Sequence, residues 1–282
     1  MELWRQMRDT ALVPTPVPST DPVTCDAAAE DGPSVLGRAL VILDACAVSY
    51  RPLTLSQLVE LTGLPKTTLH RLCWKLVELG MLERTHDAFR IGTKVFALGS
   101  TNPALRRLRV TAMPYLHALV ERTDWATNLA VLAGGRALVV EEVFGGKGRA
   151  MRRMVGARLP LHATAIGKAL LSGYGDAELD EFLSGGLRPY TLTTIARGSL
   201  MREQVERVRE TALAFSREEW AAGTSGVASP VVVDGAVIAA VAVVGEPGEE
   251  GLRQRAGVVK AAALAIGSAL SRAPLAATSQ SA

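Results

Sequence analysis

The sequence predicts an α+β protein made of two folded units that follow one another along the chain. Residues 34–99 have the pattern of three short helices followed by a small hairpin, and later residues alternate hairpins with helices. Antiparallel hairpins with helices between them favour a sensor-like α+β unit over a parallel sheet. The length of 282 residues suits two domains, since domains average roughly 100–200 residues.

The composition is that of a globular protein, with 48% hydrophobic and 21% charged residues. No charge-free apolar run reaches the roughly 18 residues of a membrane-spanning helix, so no membrane partner is expected. Glu2 and Arg5 interrupt any secretory apolar segment. Cys25, Cys46 and Cys73 fit neither a disulfide framework nor a zinc site. We therefore expect a cytoplasmic protein with no metal.

The two ends of the chain are predicted to be disordered tails, residues 1–33 and 273–282. The stretch "VPTPVPSTDPVTCDAAAEDGP" holds five prolines among small and acidic residues, and such a composition cannot form a packed core. Order is expected to begin at Ser34, a good N-cap. It precedes a first helix whose apolar residues at helical spacing are Leu36, Leu40, Leu43 and Ala47.

A second helix, a third helix and a hairpin complete the first unit, residues 34–99. Thr54 and Gln57 have the spacing of a capping box, Gly63 ends the second helix, and the third begins near Pro65. Strand-like "MLERT" and "FRIG" then flank a turn at "HDA". About sixty residues in this order have the size of a winged helix-turn-helix.

Prolines and hairpins organise the rest of the chain. Pro103 opens a helix and Pro114 interrupts it, which predicts a linker helix at residues 100–113 and a second domain at residues 114–272. Gly134-Gly135 and Asp234-Gly235 each join two strand-like runs as a two-residue turn. Helices are predicted at "TAIGKALLSG", "DAELDEFLSG", "LMREQVERVRETA" and about Leu252 to Ser271.

The third helix of the first unit carries the prediction of DNA binding. An apolar stripe on one side leaves polar residues crowded on the N-terminal half of the other side, as a recognition helix requires. The first unit has eight Lys/Arg against five Asp/Glu, a net charge of +3. By donor geometry Arg71 would read guanine, while Lys66, Thr67 and Thr68 would hold phosphates. A solvated core helix is the alternative reading.

Five other residues on or near this helix are left with open roles. His70 touches a base edge or fills space, and Lys75 flanks the polar side. Trp74 lies against DNA or packs on the first helix or the hairpin. In the hairpin, Arg84 and Arg90 reach the DNA backbone or minor groove, or are only solvated.

The sequence resembles the IclR family of transcriptional regulators. In the first unit "SVLGRALVILDACA", "LTLSQLVELTGLPKTTLHRLCWKLVELGMLER" and "FRIGTKVFALGS" carry the resemblance. In the second it rests on "LPLHATAIGKALLSG", "LRPYTLTTI" and "REEWAAGTSGVASPVVV". The resemblance implies a winged helix-turn-helix joined by a helix to a GAF-like effector-binding domain. It further implies homodimers or homotetramers on a palindromic operator in double-stranded DNA, and hence a nucleoid-associated protein.

The resemblance also implies an effector pocket in the second domain. The backbone donors would be Ala165 and Ile166, where a strand end enters a helix whose free amides favour a carboxylate. Ser216, Gly226 and Ser229 would face them, and Trp220 would supply an apolar wall. Where the family's small-acid sensors have an aspartate and a cysteine, this chain has Ser216 and Gly226, which predicts a wider and more neutral pocket.

We therefore expect a small organic effector that bears a carboxylate or a carbonyl. Alternatively, Gly226 and Ser229 only let strands pack closely, and the second domain of a constitutive DNA-binding protein serves only oligomerisation.

An enzyme is the least favoured reading. "GTSG" is not a nucleophile elbow, and "IGKAL" lacks the upstream glycines of a phosphate loop. Glu218 and Glu219 would point to opposite faces of an extended strand. No catalytic residue and no cofactor are expected.

Overall fold

A computed structural model describes residues 34–49, 51–145, 154–246 and 249–272. Both predicted tails, residues 1–33 and 273–282, lie outside the described residues. The described chain forms an N-terminal unit of three helices with a small sheet and a C-terminal unit built on a larger sheet. The α+β class predicted from the sequence is confirmed.

The N-terminal unit packs its helices around a shared apolar core. Ser34 caps the first helix as predicted, because its side chain accepts a hydrogen bond from the Gly37 amide at 3.1 Å. The capping box of Thr54 and Gln57 is also present. The elements are α1 (Val35–Val48), β1 (Leu53–Thr54), α2 (Leu55–Thr62), α3 (Lys66–Glu78), β2 (Leu82–Thr85) and β3 (Ala88–Ile91).

The wing sheet differs slightly from the sequence prediction. It has three strands in the order β1-β3-β2, and β1 was not predicted. Ala88, expected in the turn, pairs with both Thr85 and Thr54, so that the turn consists of His86 and Asp87 alone. His86 has a φ of 56°, which supplies the left-handed conformation of this tight connection.

The predicted apolar face of α1 is wrong. Leu36 and Leu40 are 77% and 55% exposed, and the helix instead buries Ile42, Ala45 and Cys46 against α2 and α3. These three residues also have helical spacing. Since α1 is apolar on nearly every side, it offers two apolar faces with this spacing. Periodicity cannot choose between two apolar faces, and the partners that decide are distant in sequence.

A continuous helix follows the wing and the short helix α4 (Thr93–Gly99). This helix, α5 (Pro103–Thr123), passes through Pro114, so the predicted break is wrong. Pro114 is exposed, and water can bond the carbonyl that it leaves without a partner. Leu108 and Leu116, on either side of it, are buried in one core. The division into residues 100–113 and 114–272 stays a prediction.

The C-terminal unit is built on an antiparallel sheet of six strands in the order β6-β5-β4-β9-β8-β7. Both predicted hairpins are confirmed, and positive φ at Gly134, Gly135, Asp234 and Gly235 fits their two-residue turns. The strands are β4 (Ala126–Ala133), β5 (Arg136–Val143), β6 (Arg158–Leu159), β7 (Ala214–Arg217), β8 (Ser225–Val233) and β9 (Ala236–Gly245). The helices are α6 (Ala165–Leu171), α7 (Asp176–Ser184), α8 (Gly198–Thr211) and α9 (Glu249–Arg272).

Each face of this sheet has its own core. One face packs against α5 and α9 through Val227, Val231, Val241 and Val243. The other packs against α6, α7 and α8, and its strand residues are mostly small. They include Ala130, Ala137, Ala228, Ala240 and Ala242.

The two described cysteines lie in the core of the N-terminal unit and carry free thiols. Burial raises the pKa of the Cys46 thiol to about 12, with a smaller contribution from Cys73. Burial likewise raises the pKa of Cys73 to about 11. Both thiols are therefore protonated and inert near neutral pH.

In a Cys25→Ser variant, Cys46 and Cys73 should react with a disulfide reagent at about pH 8 at least a hundredfold more slowly than in denaturant, because so little thiolate is present. Absorbance of the released thiolate measures both rates. Equal rates in the native and the denatured protein would show that the two thiols are accessible.

Candidate DNA-binding surface and effector site

The helix α3 is positioned by the turn before it and by its own apolar stripe. Gly63 ends α2 in the left-handed conformation with a φ of 68°, and Pro65 precedes the first turn of α3. The predicted apolar stripe is buried, and it consists of Leu69, Leu72, Cys73 and Leu76. The stripe fixes the rotation of the helix, so that its opposite side faces outward.

Most residues predicted to bind DNA lie on this outward side. Lys66, Thr67, His70 and Arg71 are exposed, and Thr68 is half-buried at its edge. Lys66 and Arg71 have no acidic partner within the described residues, so their charges are available to phosphate or base acceptors. The N-terminal half of α3 therefore presents donors that match a DNA surface.

Two of the predicted cations are held by neighbouring carboxylates. Lys75 Nζ lies 2.8 Å from Glu78 Oε2, one turn along the helix. Arg90 donates to Glu83 Oε2 through Nε at 3.0 Å and Nη2 at 2.8 Å. Glu83 also accepts from the Thr93 amide, and Arg90 and then this amide lower the pKa of Glu83. Glu83 on β2 is thus bonded both to Arg90 on β3 and to the start of α4.

Arg84 and Trp74 contact one another across the wing and α3. The Arg84 guanidinium lies 5.1 Å from the centroid of the Trp74 ring, and the Trp74 indole nitrogen lies 3.1 Å from His70 Nε2. The Trp74 ring therefore packs against the hairpin, which is one of the roles left open for it. Arg84 Nη2 also lies 3.6 Å from Asp87 Oδ1 within the wing. The Arg84 side chain therefore connects the wing to α3.

In the C-terminal unit four of the predicted effector residues, Ala165, Ile166, Ser216 and Gly226, lie at or beside the start of α6. Thr164 caps this helix by accepting from the Gly167 amide at 3.1 Å. The amides of Ala165 and Ile166, at the first two helical positions, have no acceptor within the described residues. Both residues are buried, so these amides are donors in a dry environment.

Ser216 and Gly226 lie beside the first turn of α6, paired with each other across β7 and β8. The Ser216 hydroxyl donates to the Ala163 carbonyl at 3.2 Å. A Cβ added at Gly226 would lie 3.8 Å from Ala165 Cβ and 3.1 Å from the Val243 carbonyl oxygen. The strand therefore approaches α6 closely at Gly226. The wider pocket expected from this glycine stays a prediction. Trp220 packs, half-buried, against the same core.

The predicted position of Ser229 is wrong. Residues along β8 alternate between the two faces of the sheet. Ala228 lies on the α6 face, whereas Val227 and Val231 lie on the face of α5 and α9. Ser229 has the parity of Val227, and it pairs with Val241 of that same core. Its side chain is therefore separated from Gly226 and Ala165 by the sheet.

A buried ion pair that sequence reasoning missed crosses the α6 side of the sheet. Lys168 is 1% exposed, and its ammonium donates to Glu219 Oε1 at 2.7 Å and to the Phe215 carbonyl at 3.0 Å. Burial lowers the pKa of Lys168, and Glu219 opposes this effect. Burial also lowers the pKa of His162, whose Nε2 is 2.9 Å from the Arg188 carbonyl oxygen. The ion pair starts from the same helix as Ala165 and Ile166, and the more neutral pocket expected from the sequence stays a prediction.

Three threonine hydroxyls hold the backbone that carries Glu219. Thr191 and Thr193 donate to the Glu218 carbonyl at 2.8 and 2.9 Å, and Thr194 donates to the Glu219 carbonyl at 2.5 Å. Glu218 has a φ of 57°, unfavourable for a residue with a side chain, and these bonds help to hold it. The Glu218-Glu219 pair therefore leaves the extended conformation on which the prediction of opposite faces rested.

Asn128 and Glu142 form a second polar pair on the α6 face. With its amide nitrogen turned to the carboxylate, Asn128 donates to Glu142 Oε1 at 3.1 Å. Glu142 Oε2 accepts from the Met154 amide at 2.8 Å. An asparagine inside the apolar run "TNLAVLA" is the sequence feature that could have identified this pair.

The described residues contain no group of three or more His, Cys, Asp or Glu side chains that could hold a metal ion. Within the same ranges, no helix is both long enough and apolar enough to cross a membrane.

The three-helix unit, its wing and the outward side of α3 define a winged helix-turn-helix DNA-binding protein with an appended α+β domain. Residues 35–86 match the IclR helix-turn-helix domain, and residues 104–271 match the bacterial transcriptional regulator IclR C-terminal domain. The chain belongs to the IclR family, whose members are DNA-binding transcriptional regulators and not enzymes.

Similar proteins include two curated bacterial regulators and a solved structure. The HTH-type transcriptional regulator XynR of Escherichia coli is 32% identical over 197 residues, 69% of this chain and 78% of that protein. The acetate operon repressor of Salmonella typhimurium is 30% identical over 199 residues, 69% of this chain and 73% of that protein. An IclR homologue from Microbacterium hydrocarbonoxydans complexed with 4-hydroxybenzoate has a TM-score of 0.76 and 27% identity, covering 85% of this chain and all of that one.

The variant Lys168→Met should lose about 3–5 kcal/mol in free energy of unfolding, because it leaves the Glu219 carboxylate buried without its cation. Adding Glu219→Leu should restore much of the loss, since it removes the unpaired charge. Urea unfolding followed by circular dichroism measures both. Lys75→Met, which breaks an exposed pair, is the control and should change little. Full stability of Lys168→Met alone would contradict a buried ion pair.

Proposed function

We propose that the chain binds a palindromic DNA operator as a symmetric pair of subunits, and that a small organic effector bound in its C-terminal domain changes the operator affinity. The observation that carries the proposal is the outward side of α3, which places exposed donors over a buried apolar stripe. The family gives the class of regulator, while the operator, the assembly and the effector are inferred.

The donors on α3 suggest a division of roles in the operator complex. Arg71 has a planar guanidinium that can bridge two acceptors of a guanine in the major groove. Lys66, Thr67 and Thr68 lie at the N-terminal end, where side chains and helix amides meet phosphates. Lys75 and Arg90 contribute less, because Glu78 and Glu83 already neutralise them. Arg84 is the wing cation closest to α3 through its contact with Trp74.

A symmetric assembly follows from the size of one reading unit. A single recognition helix contacts one half-site, and useful affinity and specificity need two helices related by a dyad. We therefore propose a dimer, or a tetramer of two dimers, on an operator with matching half-sites. Light scattering and a footprint with a dyad are the expected observations.

The relative that binds 4-hydroxybenzoate supports an effector with a carboxylate. In this chain the buried amides of Ala165 and Ile166 would donate to the carboxylate or carbonyl oxygen. Ser216 has a hydroxyl beside them that already donates to Ala163, so it can only accept from the effector. Trp220 would cover an apolar part of the molecule. Ser229 is no longer part of this proposal.

The conformational change by which the effector alters DNA binding would begin at α6 and at the segment that follows β7. Lys168 of α6 is bonded to Glu219, and three threonines hold the backbone at Glu218 and Glu219. An effector that displaces the first turn of α6 would therefore strain this segment as well. The ion pair makes the two move together.

Arg71→Ala should weaken binding to an operator selected from random DNA by about 1–3 kcal/mol and hardly affect binding to unrelated DNA, because a base contact is lost. Lys66→Ala should weaken both alike and reduce the salt dependence, because a phosphate contact is lost. Fluorescence anisotropy at several salt concentrations measures these effects. Wild-type affinity in both variants would show that α3 is not the reading helix.

Gly226→Leu should abolish the response of operator binding to 4-hydroxybenzoate or related carboxylates, because the added side chain fills the space at Ala165. Operator binding itself should persist, since the N-terminal unit has its own core. Release of labelled operator measures the response, and Ser229→Ala, on the other face of the sheet, is the control. A normal response in Gly226→Leu would place the effector elsewhere, and an unfolded variant would show that Gly226 serves close packing.

A further inference from the structure

An exposed histidine, tryptophan and arginine are joined where α3 meets the wing. The Trp74 indole nitrogen lies 3.1 Å from His70 Nε2, and the two rings meet edge to face with centroids 6.2 Å apart. The Arg84 guanidinium covers the Trp74 ring at 5.1 Å from its centroid. We call His70, Trp74 and Arg84 the wing cluster.

The chemistry of the two rings fixes the position of one proton. An indole N–H can only donate, so His70 Nε2 must be the acceptor of this hydrogen bond. A neutral imidazole has one donor and one acceptor nitrogen, and the proton of His70 is therefore on Nδ1. Nδ1 has no partner within the described residues, and His70 is exposed. The wing cluster thus presents a histidine with a defined, outward donor.

A donor in this place selects between base edges. His70 lies one residue from Arg71 and three from Thr67 on the outward side of α3. In the major groove an N–H donor is accepted by N7 or O6 of guanine, N7 of adenine or O4 of thymine, and cytosine offers only a donor there. In the other tautomer Nδ1 is an acceptor, and the same ring would instead prefer a donor group, the amino group of cytosine or adenine.

We propose that Trp74 is a positioning residue for specificity: it holds His70 as an Nδ1–H donor that reads one acceptor base edge in each half-site. This inference rests on the proposed function of α3 as the reading helix. Trp74 acts through His70 rather than by touching DNA, since its only N–H is already used and Arg84 covers a face of its ring. Arg84 keeps the indole in place and makes this position depend on the wing.

The first test needs no DNA. The full chain labelled with 15N-histidine is studied at about pH 8, where an ordinary imidazole is neutral. The His70 signals, assigned with His70→Asn, should show the Nδ1–H tautomer. Trp74→Phe keeps an aromatic ring under Arg84 and removes the donor, so the ratio should shift toward Nε2–H. The control Lys75→Gln, on the same helix, should leave it unchanged. The same tautomer in wild type and Trp74→Phe overturns the proposal.

The second test follows base preference by selection from random DNA. Trp74→Phe and His70→Ala should each relax preference about three- to tenfold at the same base pair of each half-site, a typical effect of one hydrogen bond. The double variant should lose no more than His70→Ala alone, whereas Arg71→Ala should relax a different base pair. Effects at different base pairs, or losses that add, would mean that Trp74 contacts DNA itself and overturn the proposal.

The two tests separate failure of this inference from failure of the proposed function. If Arg71→Ala, Lys66→Ala and His70→Ala all bind and select DNA as wild type does, α3 is not the reading helix, and the reading role of His70 is overturned with it. If Arg71→Ala relaxes selection but His70→Ala does not, the proposed function stands and only the inference about the wing cluster is overturned.

Discussion

The six-stranded sheet separates two cores, and side chains alternate between them along every strand. On one side alanines and Gly226 let α6 lie close to the strands, while on the other side valines meet α5 and α9. This alternation decides which side chains can lie together in one site. It brings Ala165, Ser216 and Gly226 together, and it excludes Ser229, which is only three residues beyond Gly226.

The close approach of α6 also explains why a charged pair is buried there. Lys168 emerges from a helix that lies against small side chains, and its ammonium reaches the Phe215 carbonyl and the Glu219 carboxylate without meeting water. A buried pair of this kind adds little net stability, but removing one partner is costly because it leaves a buried charge unpaired. The threonines that donate to the Glu218 and Glu219 carbonyls hold the backbone of the same segment in place. The α6 side of the domain is thus tied together by polar contacts.

Features with a local cause could be predicted from the sequence. Ser34, the capping box of Thr54 and Gln57, and the two-residue hairpin turns depend on residues a few positions apart, and all are in the structure. The buried stripe of α3 follows from spacing alone. Family motifs located the helix-turn-helix and the first turn of α6, but not the contacts that their side chains make. The assignment of individual residues to DNA binding or to effector binding stays a prediction.

What could not be predicted depends on contacts between distant parts of the chain. Lys168 and Glu219 are 51 residues apart, and neither belongs to a sequence motif from which its partner could be predicted. The rotation of α1 and the face of Ser229 depend on which core each element meets. A hairpin pattern gives the alternation along β8, but it does not say which set of residues faces α6. Tertiary packing also overrode the helix-breaking tendency of Pro114.

The unbroken course of α5 has a practical consequence for building hybrid regulators. Its residues Leu108 and Ala112, before the proline, are buried in the same core as Leu116 and Leu119 after it. A fusion made at Pro114 would therefore remove part of the core of the C-terminal domain together with the DNA-binding unit. Residues 100–102, between α4 and α5, are exposed and belong neither to the core of the N-terminal unit nor to the core that holds Leu108. A junction there would leave the packing of both units whole.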